Sequence, residues 1–327
     1  EWTPYIHELL SVVKRRAGVV LHRAYCVTIF GHTFLQDVVT HIDPAKNSVV
    51  TVRGQVLYYD ACLIAAGSQR TTFGIDGADE HALGLRHVDD AVRIAERLDK
   101  LAARKRRASV VIVGGGVTGV EVLGEILRRR AQGDEFDIHV VEREPRILEQ
   151  QDESLAGDAQ LRFAPYPVTL HTDAAVQRVT ARSVTLESGE KITADLCIWS
   201  AGTELPGFLR DAGLNEDGDE WLPVDDTLRS RHAENVFVAG DCAELLEPVR
   251  KQAYHAMAMG EVAGDNIHRL LQERRLEQFR PAPMPMLISF GDITTWLVVG
   301  TSAVASPVLA AAKDGIYQVT MARLASP

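Results

Sequence analysis

The chain has 327 residues, enough for two domains with a sizeable core, and 46% of them are hydrophobic, which suits an α/β protein. With 35 basic residues against 45 acidic ones the formal charge is −10, and the basic footprint that nucleic-acid binding needs is missing. The four cysteines, Cys26, Cys62, Cys197 and Cys242, form no C-x-x-C pair, so neither a metal knuckle nor a redox dithiol is expected, and a reducing, cytoplasmic compartment fits them.

In chain order, the opening Glu1-Trp2-Thr3-Pro4 does not read as a signal peptide. Residues 5–16 predict a helix with Ile6, Leu9, Leu10 and Val13 on one face. Residues 49–52 and 55–59 read as a hairpin turning at Arg53-Gly54. The apolar run 61–65, closed by Gly67, suits a buried parallel strand. A long helix is expected from about Asp89, as N-cap, to about Ala103. Then 109–113 is a β-branched strand, 114–119 a glycine turn, 120–130 a helix and 137–141 a second strand. That βαβ unit implies a parallel sheet. Short strands follow at 168–170, 184–187, 195–199 and 235–239, then a helix at 253–271. Prolines between 281 and 285 precede a final apolar segment, whose run from 296 to 312 is too interrupted by Gly300, Ser306 and Pro307 to span a bilayer.

The chemistry concentrates at Val113-Gly114-Gly115-Gly116-Val117-Thr118-Gly119. The glycines follow a strand, open a helix and precede a second strand ending in Glu142, which is the context a dinucleotide fingerprint requires. Gly114 permits the tight turn, Gly116 lets backbone approach a pyrophosphate, and Gly119 lets helix and strand pack closely. The helix start at Val117 and Thr118 faces the phosphates. Glu142 would accept from ribose hydroxyls and repel a 2′-phosphate, which favours NADH over NADPH, while the neighbouring Arg143 weakens that preference. No metal site is expected.

Two further segments qualify the fingerprint: Tyr59 to Ser68, a strand running into Ala66-Gly67, and Asn235 to Asp241, a strand ending in Gly240-Asp241. In this order around the glycine motif they resemble the FAD-dependent pyridine nucleotide-disulfide oxidoreductases. The resemblance implies two Rossmann-like dinucleotide-binding domains of the three-layer ββα type, the NAD domain inserted in the FAD domain. The expected division is FAD domain 1–104, NADH domain 105–224, FAD domain again 225–285 and a C-terminal segment 286–327. Asp241 then takes the FAD ribitol role, and Gly202 ends the strand leaving the nicotinamide domain. Within the superfamily, Thr118 to Glu125 looks most like the type II NADH dehydrogenases, which pass electrons from NADH through FAD to a quinone or similar small acceptor. That likeness places the proton-handling carboxylate on Glu121, beside the reacting rings, where desolvation raises a carboxyl pKa. Lys313 loosely resembles a lysine that the family places near this carboxylate and that opposes the rise.

The family opens with its own FAD-binding βαβ unit, and this sequence starts at what resembles the helix before the third strand. Roughly 40 to 60 residues are therefore expected to precede it, and FAD binding by this stretch alone stays open. Where the family carries paired glutamines, residues 257–260 read Met-Ala-Met-Gly, so quinone is less secure than NADH. A ferredoxin-like protein as acceptor is the first alternative, and a non-catalytic NAD(H)-binding regulatory module is another. The apolar stretch 296–324 suggests peripheral membrane contact, with Lys313 and Arg323 at headgroups and Ile316, Tyr317, Val319 and Met321 among acyl chains. A homodimer is compatible with all of this.

Overall fold

The computed structural model describes every residue except 1, 2, 12, 13, 15–19, 21–26, 28, 29, 105, 326 and 327. Two compact units divide the chain. One comprises Glu1–Thr33, Arg70–Gly202 and Pro285–Pro327, the other Phe34–Gln69 and Thr203–Met284.

The first unit is built on five parallel strands in the order Ala82–Gly84, Leu196–Trp199, Ala108–Val113, Phe136–Val141 and Val168–His171. Ala108–Val113 sits at the centre, and its run of β-branched residues is explained by burial on both faces. Val110 and Ile112 point to a layer of helices, among them Val88–Ala102, Val117–Ala131 and Glu153–Phe163. Val111 and Val113 point the other way, joining Cys197 and Trp199 against an antiparallel meander of Val176–Thr180, Ser183–Leu186 and Lys191–Thr193. The result is the three-layer ββα arrangement that the resemblance implies.

The segment after Pro285 is more ordered than its composition suggests. Met286–Phe290, Thr294–Val299 and Ser302–Ala305 form an antiparallel sheet, and Leu309–Ala325 is a helix. Ile288, Phe290, Trp296, Val298 and Tyr317 join the same core as Val110 and Ile112. The approach is close: a methyl group added to Gly124 would lie 2.6 Å from the carbonyl carbon of Phe290 and 2.7 Å from its Cα. Tyr317 is therefore core, not an acyl-chain contact, and Met321 packs partly against that core as well.

The second unit pairs Cys62–Ile64 in parallel with Val236–Val238, under the helix Ala253–Leu271. The expected hairpin forms as Ser48–Thr51 and Val56–Tyr58, extended by Val39–Asp43 into three strands.

Two local expectations need correction. Thr3–Leu9 is a 3-10 helix, not the start of a helix to 16, although Ile6, Leu9 and Leu10 are buried as expected; Val13 lies outside the described residues. The long helix begins at Val88 and not after an Asp89 cap. Asp90 instead accepts from the backbone N–H groups of Arg86 and His87, at 3.0 and 2.9 Å, and satisfies that end. Among the described residues no helix is long and apolar enough to cross a membrane.

Candidate functional site

The glycine turn lies at the C-terminal end of the central strand. Gly114 takes φ +101°, and its backbone is so close to Ala201 that a Cβ would lie 2.9 Å from the Ala201 N–H nitrogen. Gly116 is the residue before the helix Val117–Ala131; no side chain caps that helix, and space is open around Gly116. Val117 and Thr118 form its first turn, and Gly119 is buried where helix meets strand, with Gly114 and Ser200 as neighbours. The helix start thus presents its dipole and its unshared N–H groups outward, as an anionic phosphate requires.

Glu142 follows the next strand and folds back on this turn. Its Oε2 accepts from Gly115 N–H at 2.6 Å, and its Oε1 accepts from Glu144 N–H at 2.9 Å. The carboxylate is thereby fixed beside the turn. Arg143, exposed, donates to Glu144 at 2.8 Å, which blunts its charge toward a phosphate. Gly202, with φ +72°, ends the strand Leu196–Trp199 and packs on Thr71 and Phe73.

Glu121 lies one helical turn beyond Thr118, and its surroundings are what the sequence shows least. Lys313, from the C-terminal helix, donates to Glu121 Oε1 at 2.8 Å and to Ser289 Oγ at 2.8 Å. Ser289 N–H donates to the same Oε1 at 3.1 Å, and His7 Nδ1 stands 3.5 Å from Oε2. Burial pushes this carboxyl upward, but the His7 ring, the Lys313 ammonium and the Ser289 amide outweigh it and hold it below the usual range. The expected rise is thus overturned by His7 and the Lys313 ion pair together. That ion pair also removes Lys313 from any headgroup role, since its side chain is buried. One turn further on, Glu125 is fully buried, takes a hydrogen bond from Ser11 and faces Arg128 at 3.4 Å; burial raises its carboxyl to about 7.

In the second unit the parallel strands bring Ala66-Gly67 and Gly240-Asp241 to the same end. Gly67 and Gly240 take φ +66° and +79°. Ser68 Oγ donates to Asp241 Oδ2 at 3.1 Å, and Lys251 donates to the Asp241 carbonyl while lying 3.5 Å over the Trp221 ring. Cys242, Cys197 and Cys62 are free thiols; burial raises all three, Cys197 to about 12 and Cys62 to about 11. Cys26 lies outside the described residues. Among the described residues no cluster of His, Cys, Asp or Glu is able to hold a metal ion.

The fold agrees with what comparison with known proteins finds. The family model for pyridine nucleotide-disulphide oxidoreductases matches residues 23–260. The chain belongs to that family. A probable NADH dehydrogenase of Dictyostelium discoideum is 30% identical over 278 residues, covering 76% of this chain and 60% of that protein. A type II NADH:quinone oxidoreductase of Staphylococcus aureus is 27% identical, covering 79% and 70%. The structure of NDH2 from Plasmodium falciparum in complex with NADH superposes with a TM-score of 0.85 at 16% identity, covering 100% of this chain and 88% of that one, and shares the fold. The chain spans 60 to 66% of the length of the three curated relatives it matches first.

Proposed function

We propose that this member of the family oxidises NADH with FAD as its cofactor and passes the electrons to a quinone. The observation that carries the reading is the open, uncapped helix start at Gly116, with the Glu142 carboxylate anchored on the adjoining Gly115 N–H. Pyrophosphate suits the helix start, and ribose hydroxyls suit a carboxylate that a 2′-phosphate would repel. In the other unit Gly240, Asp241, Ala66 and Gly67 form the cradle for the flavin's ribitol. FAD, when bound, supplies the hydride-accepting ring.

The chain's own part is orientation and proton traffic. Glu121, kept ionised beside Lys313, takes up a proton only in passing and hands it on. The relatives named as NADH dehydrogenase and NADH:quinone oxidoreductase support this electron route. Quinone is a membrane-soluble acceptor, and the exposed side chains of Val308, Ile316 and Val319 offer an apolar patch on the C-terminal segment for peripheral contact.

The test is anaerobic stopped-flow on the full-length protein, with NADH and then with a soluble quinone. Flavin bleaching by NADH, followed by quinone-driven recovery, is expected. Glu121→Gln should leave bleaching near normal and slow recovery by about 100- to 10,000-fold. Because it strands the Lys313 charge, the double variant E121Q/K313M controls for loss of fold. A wild-type protein whose flavin is not bleached by NADH would overturn the reading.

A further inference from the structure

His7 is buried against Glu121, and a graded path leads from it to solvent. Its Nδ1 is 3.5 Å from Glu121 Oε2, and its Nε2 is 4.0 Å from Glu8 Oε1. Glu8 Oε2 is 3.8 Å from Lys14 Nζ, which is 2.7 Å from Asp314 Oδ1. Side-chain exposure climbs along this series, from 4% at His7 to 10% at Glu8, 14% at Lys14 and 58% at Asp314. All five residues belong to one compact unit. An apolar side chain would fill the His7 position without desolvating an imidazole, so packing alone does not account for the ring.

We propose that His7 is a positioning residue that relays a proton, taken up from solvent through Glu8, to the Glu121 carboxylate. The proposal rests on the reading of Glu121 given above. Its chemistry follows from stoichiometry: NADH, a quinone and one proton give NAD⁺ and quinol, so one proton must come from bulk water in each turnover. Glu121 is mostly enclosed, and a bound substrate would cover what remains of it. A rear path through His7 stays open when the front is covered.

The step balances without any redox change. Once side-chain motion closes the 4.0 and 3.5 Å gaps to hydrogen-bond distance, the Glu8 O–H bond breaks as the Nε2–H bond forms, while the Nδ1–H bond breaks as a proton joins Glu121. Glu8 is then reprotonated from solvent at the Lys14 and Asp314 end, and between turnovers the ring loses its Nε2 proton to solvent and gains one at Nδ1, which restores the starting tautomer. The charged groups facing the ring agree with these protonation states. Burial, with Lys313, Arg128 and Lys14 nearby, lowers His7 to about 4 despite Glu121, so the ring is neutral at pH 7 and able to accept on one side and donate on the other. Burial likewise raises Glu8, against the pull of Lys313 and Lys14, which favours its carrying a proton.

The experiment uses His7→Gln and Glu8→Gln in the full-length protein, with two kinds of readout. In the first, flavin bleaching by NADH should be unchanged in both variants. Quinone-driven recovery should slow about 10- to 100-fold in H7Q and less in E8Q, with a larger solvent deuterium isotope effect and a shifted pH profile. The second needs no turnover: ¹⁵N NMR of the wild-type His7 ring should show the neutral Nδ1–H tautomer from pH 8 down to pH 5. If H7Q folds poorly, E8Q, at the more exposed end, carries the kinetic test. Recovery at the wild-type rate in both variants, or an Nε2–H or protonated ring at pH 7, overturns the relay. Equal slowing of bleaching and recovery, with a normal isotope effect, makes His7 a packing residue and also overturns it. A wild type that reduces no quinone overturns the electron route instead, and the NMR result still judges the His7–Glu121 geometry.

Discussion

Gly116 and Gly119, three residues apart in one motif, should fail in opposite ways when changed to alanine. At Gly116 the backbone has φ −69° and ψ −172°, which alanine adopts freely, and an added Cβ meets nothing within 4 Å. Alanine is a poorer N-cap than glycine by roughly 1 kcal/mol, and the unfolded-state freedom lost with the glycine returns about 0.4–1 kcal/mol, so the G116A protein without ligand should melt close to wild type. On the proposed docking the same methyl group stands where backbone approaches the pyrophosphate, and NADH affinity should fall at least about tenfold, roughly 1.4 kcal/mol. At Gly119 the added Cβ would be driven into the Gly114 carbonyl oxygen and would lie 3.0 Å from both the Gly114 carbonyl carbon and Ser200 Oγ. The main obstacle is backbone, so the helix must retreat by roughly 1 Å. Overpacking of this kind costs about 1–3 kcal/mol, and rigid backbone places G119A at the upper end. The ligand-free melting temperature should drop by roughly 5–10 °C. Calorimetric melting without NADH, paired with isothermal titration of NADH, separates the two effects. A destabilised G116A, a G119A that melts like wild type, or a G116A that binds NADH normally would refute the division between docking and packing.

Glu142→Ala should narrow the preference for NADH over NADPH by about tenfold or more, read as the ratio of kcat/KM values; equal use of both cofactors by wild type would remove Glu142 from the ribose site. Glu125→Gln should stabilise the protein at alkaline pH. Its folded-state value of about 7 lies above the ordinary 4.5, so its stabilisation is complete below pH 4.5 and lost as pH rises to 7. The gain at pH 8 approaches roughly 3 kcal/mol, and urea melts of both proteins at pH 4.5 and pH 8 check it. Serine at Cys62, Cys197 and Cys242 should leave turnover intact, since burial keeps these thiols protonated, but should lower stability at the fully buried Cys242. Ile316→Glu with Val319→Glu should reduce co-sedimentation of the full-length protein with liposomes; unchanged sedimentation would remove this helix as the contact.

What the sequence made legible was local. The strand Ala108–Val113, its glycine turn and Glu142 form one contiguous βαβ pattern, and periodicity reports such patterns well. What it hid depends on distant partners. The direction of the Glu121 carboxyl shift is set by His7, which the Ile6, Leu9 and Leu10 periodicity does not mark, and by Lys313, 192 positions away. Asp89 is the expected cap, and only geometry shows Asp90 closing on the backbone of Arg86 and His87. Gly124 did leave a signal. A glycine inside a helix costs about 1 kcal/mol against alanine and implies a packing reason, here the hairpin at Phe290 and Gly291.

The Glu121 ion pair also divides the chain's capacities along its length. The groups proposed to grip NADH lie between Gly114 and Gly202, whereas the cation and the amide that hold Glu121, Lys313 and Ser289, arrive only after Pro285. A protein trimmed in that last stretch would lose Ile288, Phe290 and Trp296 from its core together with the counter-ion of a buried carboxylate. The segment after Pro285 thus ties the packing of the glycine-motif helix to the charge state of Glu121, so neither can be altered there without the other.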